Sequence, residues 1–456
     1  MPRIRNAAIG AKRGALALTS VLLLAPAACS PPDDPGSNEI ETYTCPGCNV
    51  VLISMDTLRR DHVGAYGYDR ETTPGVDALA ARGVLFENAV SQSSWTRPAH
   101  MSVFTGLHPA EHGVTALAHR RRIDDTVPTL AGELGAAGYA TAAFVGGVNM
   151  AAAFGFDQGF DSYRSNGKYF RDNLEDAKYW LERNAHQRFF LFFHGYDPHT
   201  PYLTDPVDRL ALDLPDRTPR HAYRRLCKKA RRARIKPYLD EYDGAIRRGD
   251  RYVGKLLAHL RELDLLDDAV IVLTSDHGEE FLEHGRCFHL TTLYREVLDV
   301  PLIIVAPGLT ASRVPDLVPA SVSVGATILD IVGVERHALP GPSLMPLVAG
   351  ATAPAGPVVS ETMRRMEGGR GQGHVRALTA PGEKLVHWIT QNRYEYFDLA
   401  SDPLEENPIE DGPRVRALAV ELDRWANAHA LRGDDDGALD HDPQLAEQLK
   451  SLGYVE

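Results

Sequence analysis

Asn49-Val-Val-Leu-Ile-Ser-Met-Asp56 is the stretch on which the fold turns. Val50, Val51, Leu52 and Ile53 follow one another without polar alternation, and three of the four are β-branched. Such a run predicts a central parallel strand buried on both faces. It then breaks on a carboxylate, Asp56. Similar runs recur at 189–193, 269–274 and 301–306, and helical patterns lie between them at 76–82, 129–137 and 252–263. Strands alternating with helices predict an α/β fold, an α/β/α sandwich with a mostly parallel central sheet. Ligands of such sheets sit beyond the carboxyl ends of the strands. The polar clusters fall there: Asp56 after the first run, Asp197 and His199 after the second, Asp276 and His277 after the third.

The bulk composition narrows the function classes. A chain of 456 residues with 44% hydrophobic content can bury a large core. Its net charge is -12, and residues 1–28 hold four basic residues and no acid, so the rest of the chain is more acidic still. That balance argues against nucleic acid as a partner, because binding phosphate backbones needs concentrated positive charge. Arg3 to Arg13 form a basic region before an apolar run at 15–25 and then Pro26-Ala-Ala-Cys29. Residues 1–28 therefore read as a signal peptide, and the small residues before Cys29 suggest a bacterial lipid-anchor site. Plain secretion or a retained anchor are the alternatives, and all three place the chain in the cell envelope or periplasm. Residues 29–48 read as a flexible tether rich in Pro, Asp, Ser and Glu. Within it, Cys45-Pro-Gly-Cys48 suits a local disulfide better than a redox motif or half a zinc site, since no second close pair exists.

The catalytic domain is expected over 49–350. Beyond it, 375–379, 384–390 and 395–399 predict short antiparallel strands of a C-terminal subdomain over 351–410. A helical tail over 411–456 is interrupted by Asp434-Asp-Asp-Gly437, read as a solvated loop and not a calcium site. Between Arg217 and Lys236 stand ten Lys or Arg residues. This stretch is either a solvated insertion helix or a docking surface for an acidic polymer, lipid headgroups or the membrane.

Thr274-Ser-Asp-His-Gly-Glu279 is the sharpest local signal for chemistry. An apolar strand ends in a carboxylate and an imidazole, and Gly278 lets the backbone turn tightly. Neighbours in a strand point to opposite faces, so Asp276 and His277 could share a cation only in a loop. The bland reading is a helix cap beside a surface histidine. Asp56 ends another strand in the same way, and convergence of ligands from separate strand ends is what a metal site requires.

Further segments carry a resemblance. Residues 49–62, 73–80 and 83–89 look like the opening of the sulfatase family. Trp95-Thr-Arg-Pro-Ala-His100 with Phe104-Thr-Gly-Leu-His-Pro109 is similar to its nucleophile segment. Asp197-Pro-His-Thr-Pro-Tyr202, the 275–279 segment, the stretch from Leu293 to Ile303 and Tyr396-Phe-Asp-Leu-Ala-Ser-Asp-Pro-Leu-Glu405 continue in family order, so the match spans about 49–410. The resemblance implies an alkaline phosphatase superfamily fold with a small C-terminal sheet. It also shows departures. The family oxidises a Cys or Ser to formylglycine where this chain has Thr96, and threonine, whose β-carbon already bears a methyl group, would give a ketone. His100 stands in the place of the motif arginine, and Phe144-Val-Gly-Gly-Val-Asn149 lacks the usual Lys and His.

Threonine nucleophiles occur in superfamily members such as phosphoethanolamine transferases and nucleotide phosphodiesterases. The resemblance thus implies a metal-dependent ester hydrolase or group transferase, acting on a phosphate ester or diester through Thr96. A sulfuric ester hydrolase and a catalytically silent binding protein are the alternatives. The implied metal ligands are Asp56, Thr96, Asp276 and His277. Two carboxylates, a hydroxyl and an imidazole suit zinc or manganese better than calcium, which prefers more oxygen ligands. His199 and His289 are the expected substrate histidines, binding an anionic oxygen or protonating the leaving group. His100 is expected to orient the nucleophile, while His194, His284, Arg59 and Lys384 are secondary candidates. The expected partner is an anionic ester, carried by an envelope glycan or lipid.

Overall fold

Val50 to Ile53 are each fully buried, in a strand that runs through the middle of an eight-stranded sheet. The computed structural model describes residues 43–115, 122–215, 235–334, 337–351, 356–365 and 372–429. The signal peptide, Cys29, the acidic run at 434–437 and all of the basic stretch but its last two residues lie outside these. In chain order the strands are β1 (Asn49–Met55), β2 (Val84–Val90), β3 (Ala140–Gly146), β4 (Ser162–Gly167), β5 (Phe189–Gly195) and β6 (Ala269–Thr274). A two-stranded hairpin follows, β7 (Glu280–Phe281) with β8 (Cys287–Phe288), and then β9 (Leu302–Val305) and β10 (Ser312–Pro319). The large sheet has the order β10-β2-β9-β6-β1-β5-β3-β4. Every pairing in it is parallel except those of β9, which runs antiparallel to β2 and β6.

Residue alternation along the central strands divides the core into two layers. Val50 and Leu52 pack with Phe190, Phe192, Val270 and Val272 on one face, where helices Thr96–Thr105, Leu130–Ala136 and Ala320–Ile331 cover them. Val51 and Ile53 pack with Leu191, Phe193, Ile271 and Leu273 on the other, beneath helices Pro74–Ala80, Phe170–Asn184 and Lys236–Glu262. Burial on both faces is what removed the polar alternation from these strands. The α/β/α sandwich is therefore present as expected. The helix anticipated at 252–263 is longer, beginning at Lys236.

Beyond the large sheet, β11 (Val358–Arg365), β12 (Gln372–Ala380), β13 (Glu383–Trp388) and β14 (Arg393–Asp398) form an antiparallel meander. One face packs on Leu293, Val297 and Leu298, and the other on Val415, Leu418 and Leu422 of helix Pro413–Ala428. The first segment of the predicted tail is thus a packed cover of the small sheet. Cys45 and Cys48 are joined in a disulfide just ahead of β1. Cys287 is also disulfide-bonded. No described helix is long and apolar enough to cross a membrane. Because Leu52 is completely enclosed at the centre of the sheet, Leu52→Ala is expected to lower stability by about 2–5 kcal/mol, read by denaturant unfolding.

Candidate active site

Adjacent strands β1 and β6 end in register, with Ser54 opposite Thr274, and the loops that leave them are stitched together. Thr57 takes a left-handed conformation (φ 57°), a backbone state that a β-branched residue rarely adopts. The turn allows its N–H to donate to Asp276 Oδ1 at 3.2 Å, while the Leu58 N–H donates to Ser275 Oγ at 3.0 Å. Tyr242, from the long helix, donates its hydroxyl to the Thr57 carbonyl at 2.6 Å. Asp56 and Asp276 are held side by side by this lattice, and both are buried.

His277 completes the cluster. Its Nδ1 lies 2.8 Å from the Gly278 carbonyl, which can only accept, so the proton is on Nδ1. The Nε2 lone pair then faces Asp276 Oδ2 at 3.3 Å. Glycine is required at 278, since a Cβ there would lie 2.1 Å from the Glu296 carbonyl. Thr96 is the first residue of helix Thr96–Thr105, and its hydroxyl donates to Asp56 Oδ2 at 3.1 Å. His194, at the end of β5, accepts the Gly146 N–H on Nδ1, which puts its own proton on Nε2, 3.6 Å from Asp56 Oδ2. His100 bridges the Thr96 helix to the sheet, with Nδ1 at 3.0 Å from the Thr96 carbonyl and Nε2 at 2.9 Å from Ser54 Oγ.

Burial, reinforced by the charge of Asp276, pushes the Asp56 carboxyl well above its ordinary range. Burial also pushes His277 down to about 3 and His100 and His194 below their usual values, so these imidazoles offer lone pairs at neutral pH. Asp56 Oδ1, Asp276 Oδ2 and His277 Nε2 are buried without a hydrogen-bond partner. One ligand atom from each of the three residues lies within 4.8 Å of the others. Unpaired buried acceptors of this kind are costly unless a cation neutralises them, so the donor set fits a divalent metal. A Nδ1 proton anchored on a backbone carbonyl is the usual preparation of an Nε2 metal ligand.

The remaining candidates separate into two groups. His199 sits in the turn after β5, with Nδ1 2.7 Å from the Thr200 carbonyl and its ring 5.1 Å from that of His289. The His289 ring is 4.4 Å from that of His277, so both expected substrate histidines lie beside the cluster. Asp197 braces that turn by accepting the Phe170 N–H at 2.8 Å and pairing with Arg248 at 3.1 Å. His284 and Lys384 are engaged elsewhere, and Arg59 donates to the Glu279 carbonyl at 3.0 Å. His284 joins Glu296 to the Glu405 carbonyl, Lys384 is buried against Glu405, and Arg59 pairs with Asp61 and Glu283. Sequence reasoning gave no role to Glu279, whose carboxylate binds both His289 and Tyr202. Its only signal was membership of the 275–279 segment.

An α/β/α sandwich with a buried metal-ligand cluster at its strand ends defines a class, the metal-dependent ester hydrolases of sulfuric or phosphoric esters. A family model described as Sulfatase matches residues 48–334, and the chain belongs to that family. It is 23% identical over 433 residues to the Delta 4,5-hexuronate-2-O-sulfatase of Bacteroides thetaiotaomicron, covering 85% of this chain and 90% of that protein. Its fold is shared with a 2-O GAG sulfatase (TM-score 0.69, 22% identity, 88% of this chain and 96% of that one). The phosphonate monoester hydrolase of Silicibacter pomeroyi also shares it (TM-score 0.67, 21% identity, 84% and 95%). Metal dependence accords with the family and with the Asp and His cluster. Asp276→Asn and His277→Ala should each weaken divalent-metal affinity by on the order of 100-fold, at least as much as losing an outer-shell partner. Metal analysis of the purified variants, with unchanged circular dichroism as control, checks this.

Proposed function

We propose that this sulfatase-family hydrolase cleaves a phosphate ester or diester with Thr96 as nucleophile. The observation that carries the reading is the Thr96 hydroxyl, seated at a helix N-terminus and bonded to Asp56 Oδ2 at 3.1 Å. It occupies the position where the family's aldehyde-forming residue stands, and its methyl-bearing carbon cannot become an aldehyde. Asp56, Asp276 and His277, with the Thr96 hydroxyl, would hold one divalent metal, for which zinc or manganese suits the donors better than calcium. When bound, the metal supplies charge that favours ionised oxygen ligands and neutralises a phosphoryl group.

The chain's own residues then divide the work. Thr96 passes its hydroxyl proton to Asp56 Oδ2, to which it already donates, as Oγ1 attacks phosphorus and the bond to the leaving oxygen breaks; His199 or His289 gives that oxygen a proton. Water, or an acceptor alcohol, next gives a proton to that histidine and attacks phosphorus, and Thr96 Oγ1 leaves, taking its proton back from Asp56. The first-turn amides of the Thr96 helix favour the anion throughout. His100, bonded to the Thr96 carbonyl and to Ser54, keeps the nucleophile's backbone in place.

A second reading, sulfuric ester hydrolysis, is favoured by the sulfatase relatives. The activities these relatives are named for make an anionic, glycan-borne ester the reference substrate class for either reading. An envelope location, with Cys29 as lipid anchor, rests on residues 1–29 alone. The test is release of p-nitrophenol from matched aryl phosphodiester, phosphomonoester and sulfate substrates, with zinc, manganese or calcium added. A phosphate ester should be turned over, and Thr96→Ala should cut kcat/KM by on the order of 10⁴-fold or more. Cleavage of the sulfate alone, at a rate Thr96→Ala does not change, would overturn the nucleophile assignment.

A further inference from the structure

Glu279 lies within the metal-ligand segment, yet neither oxygen of its carboxylate is among the unpartnered ligand atoms that gather there. Its Oε1 accepts from His289 Nδ1 at 3.0 Å, and its Oε2 accepts from the Tyr202 hydroxyl at 3.2 Å. The side chain is fully buried. Its own backbone is fixed at both ends: the N–H donates to the Glu296 carbonyl at 3.1 Å, and the carbonyl accepts from Arg59 at 3.0 Å. A carboxylate anchored in this way makes a rigid receptor for one imidazole nitrogen.

The chain around His289 is bent to meet it. Phe288 (φ 70°) and Leu290 (φ 86°) flank His289, and both occupy the left-handed region that side-chain-bearing residues avoid. The Leu290 N–H donates to the Ser94 carbonyl at 3.0 Å, and its carbonyl accepts from Thr362 at 3.1 Å, so the unfavourable turn is secured from two other segments. Strained backbone persists where its surroundings over-determine it, and it clusters at functional sites. The ring held by this turn lies 4.4 Å from that of His277 and 5.1 Å from that of His199.

We propose that Glu279 is the positioning residue of His289. By accepting the hydrogen bond from Nδ1 it fixes the ring's orientation, so that Nε2 is the nitrogen that gives its proton to the leaving oxygen. Tyr202 occupies the second carboxylate oxygen and stops the side chain from swinging toward the metal ligands. The kinetic arm of the test rests on the phosphate-ester reading above; the spectroscopic arm does not.

The experiment uses the full chain loaded with zinc, in wild-type, Glu279→Ala, Glu279→Gln, Tyr202→Phe, His289→Ala and Glu279→Ala/His289→Ala forms. Glu279→Ala should lower kcat on an aryl phosphodiester by about 10–100-fold, as loss of an orienting partner does, with metal content unchanged. KM should move by less than about 3-fold, because ground-state binding is spared. Glu279→Gln, whose amide oxygen can still accept from Nδ1, should recover most of the rate, and Tyr202→Phe should lose only about 2–5-fold. The double variant should be no slower than His289→Ala, since two residues acting as one unit are not additive. Losses that add, or metal lost from Glu279→Ala, would overturn the proposal. Nitrogen NMR of labelled histidine gives a readout independent of substrate: Nδ1 of His289 should carry a proton in the wild type and in Glu279→Gln. An Nδ1 without a proton in the wild type would sink the idea even if the phosphodiester is cleaved. Should Glu279→Ala fail to fold, Glu279→Gln and the wild-type spectrum still decide it.

Discussion

Two carboxylates that water cannot reach, Asp56 and Asp276, set the terms for everything around them. They come from neighbouring strands of the same sheet, and their side chains are wholly buried. Like charges in a low-dielectric interior repel strongly, and each also loses its hydration. The arrangement is stable only if something positive is shared between them. The surrounding groups are arranged accordingly. His277 turns an unprotonated nitrogen inward, Thr96 brings a hydroxyl on a helix N-terminus, and the Thr57 amide donates directly to Asp276. Even the left-handed backbone at Thr57 follows from the need to aim that amide.

Farther out, paired charges serve as joints. Asp197 with Arg248 ties the His199 turn to the long helix and to the start of helix Phe170–Asn184. Lys384 of β13 pairs with Glu405, and His284 links Glu405 to Glu296, which ties the small sheet to the β7–β8 hairpin and the helical turn before β9. Buried pairs seldom improve on well-packed apolar groups in net stability, whereas removing one partner is costly. Each of these pairs joins separate segments of the chain.

Legibility in the sequence followed burial. β1, β5 and β6 were readable because enclosure on both faces strips polar residues from a strand. At the two edges, β4 has no buried position and β10 only two, Val314 and Val318, so neither carries such a run. The antiparallel direction of β9 left no mark either, since direction is set by the connection and not by composition. β11 was missed because Ser360, Glu361 and Thr362 are buried in it as polar residues. Within the site, Asp56, Asp276 and His277 were legible because each follows an apolar run. Thr96 emerged through family resemblance, as its own segment reads equally well as a plain helix start. His194 stood only among the secondary candidates, since it sits at the end of the phenylalanine-rich β5 and outside the quoted motifs. The link from Glu279 to Tyr202 joins residues 77 positions apart, and only folding brings such partners together.

The small sheet does more than cover one flank. The Ser93 hydroxyl donates to the Glu361 carbonyl at 2.8 Å, the Glu361 N–H to the Gln92 carbonyl at 2.8 Å, and the Ser360 hydroxyl to the Ser91 carbonyl at 2.6 Å. The segment leading into Thr96 is thereby completed by residues that lie some 270 positions later in the chain. A chain shortened before β11 would keep Asp56, Thr96, Asp276 and His277 in its sequence but lose these three hydrogen bonds. The seat of Thr96 is thus shared between two sheets, so a loosening of the small one reaches it directly.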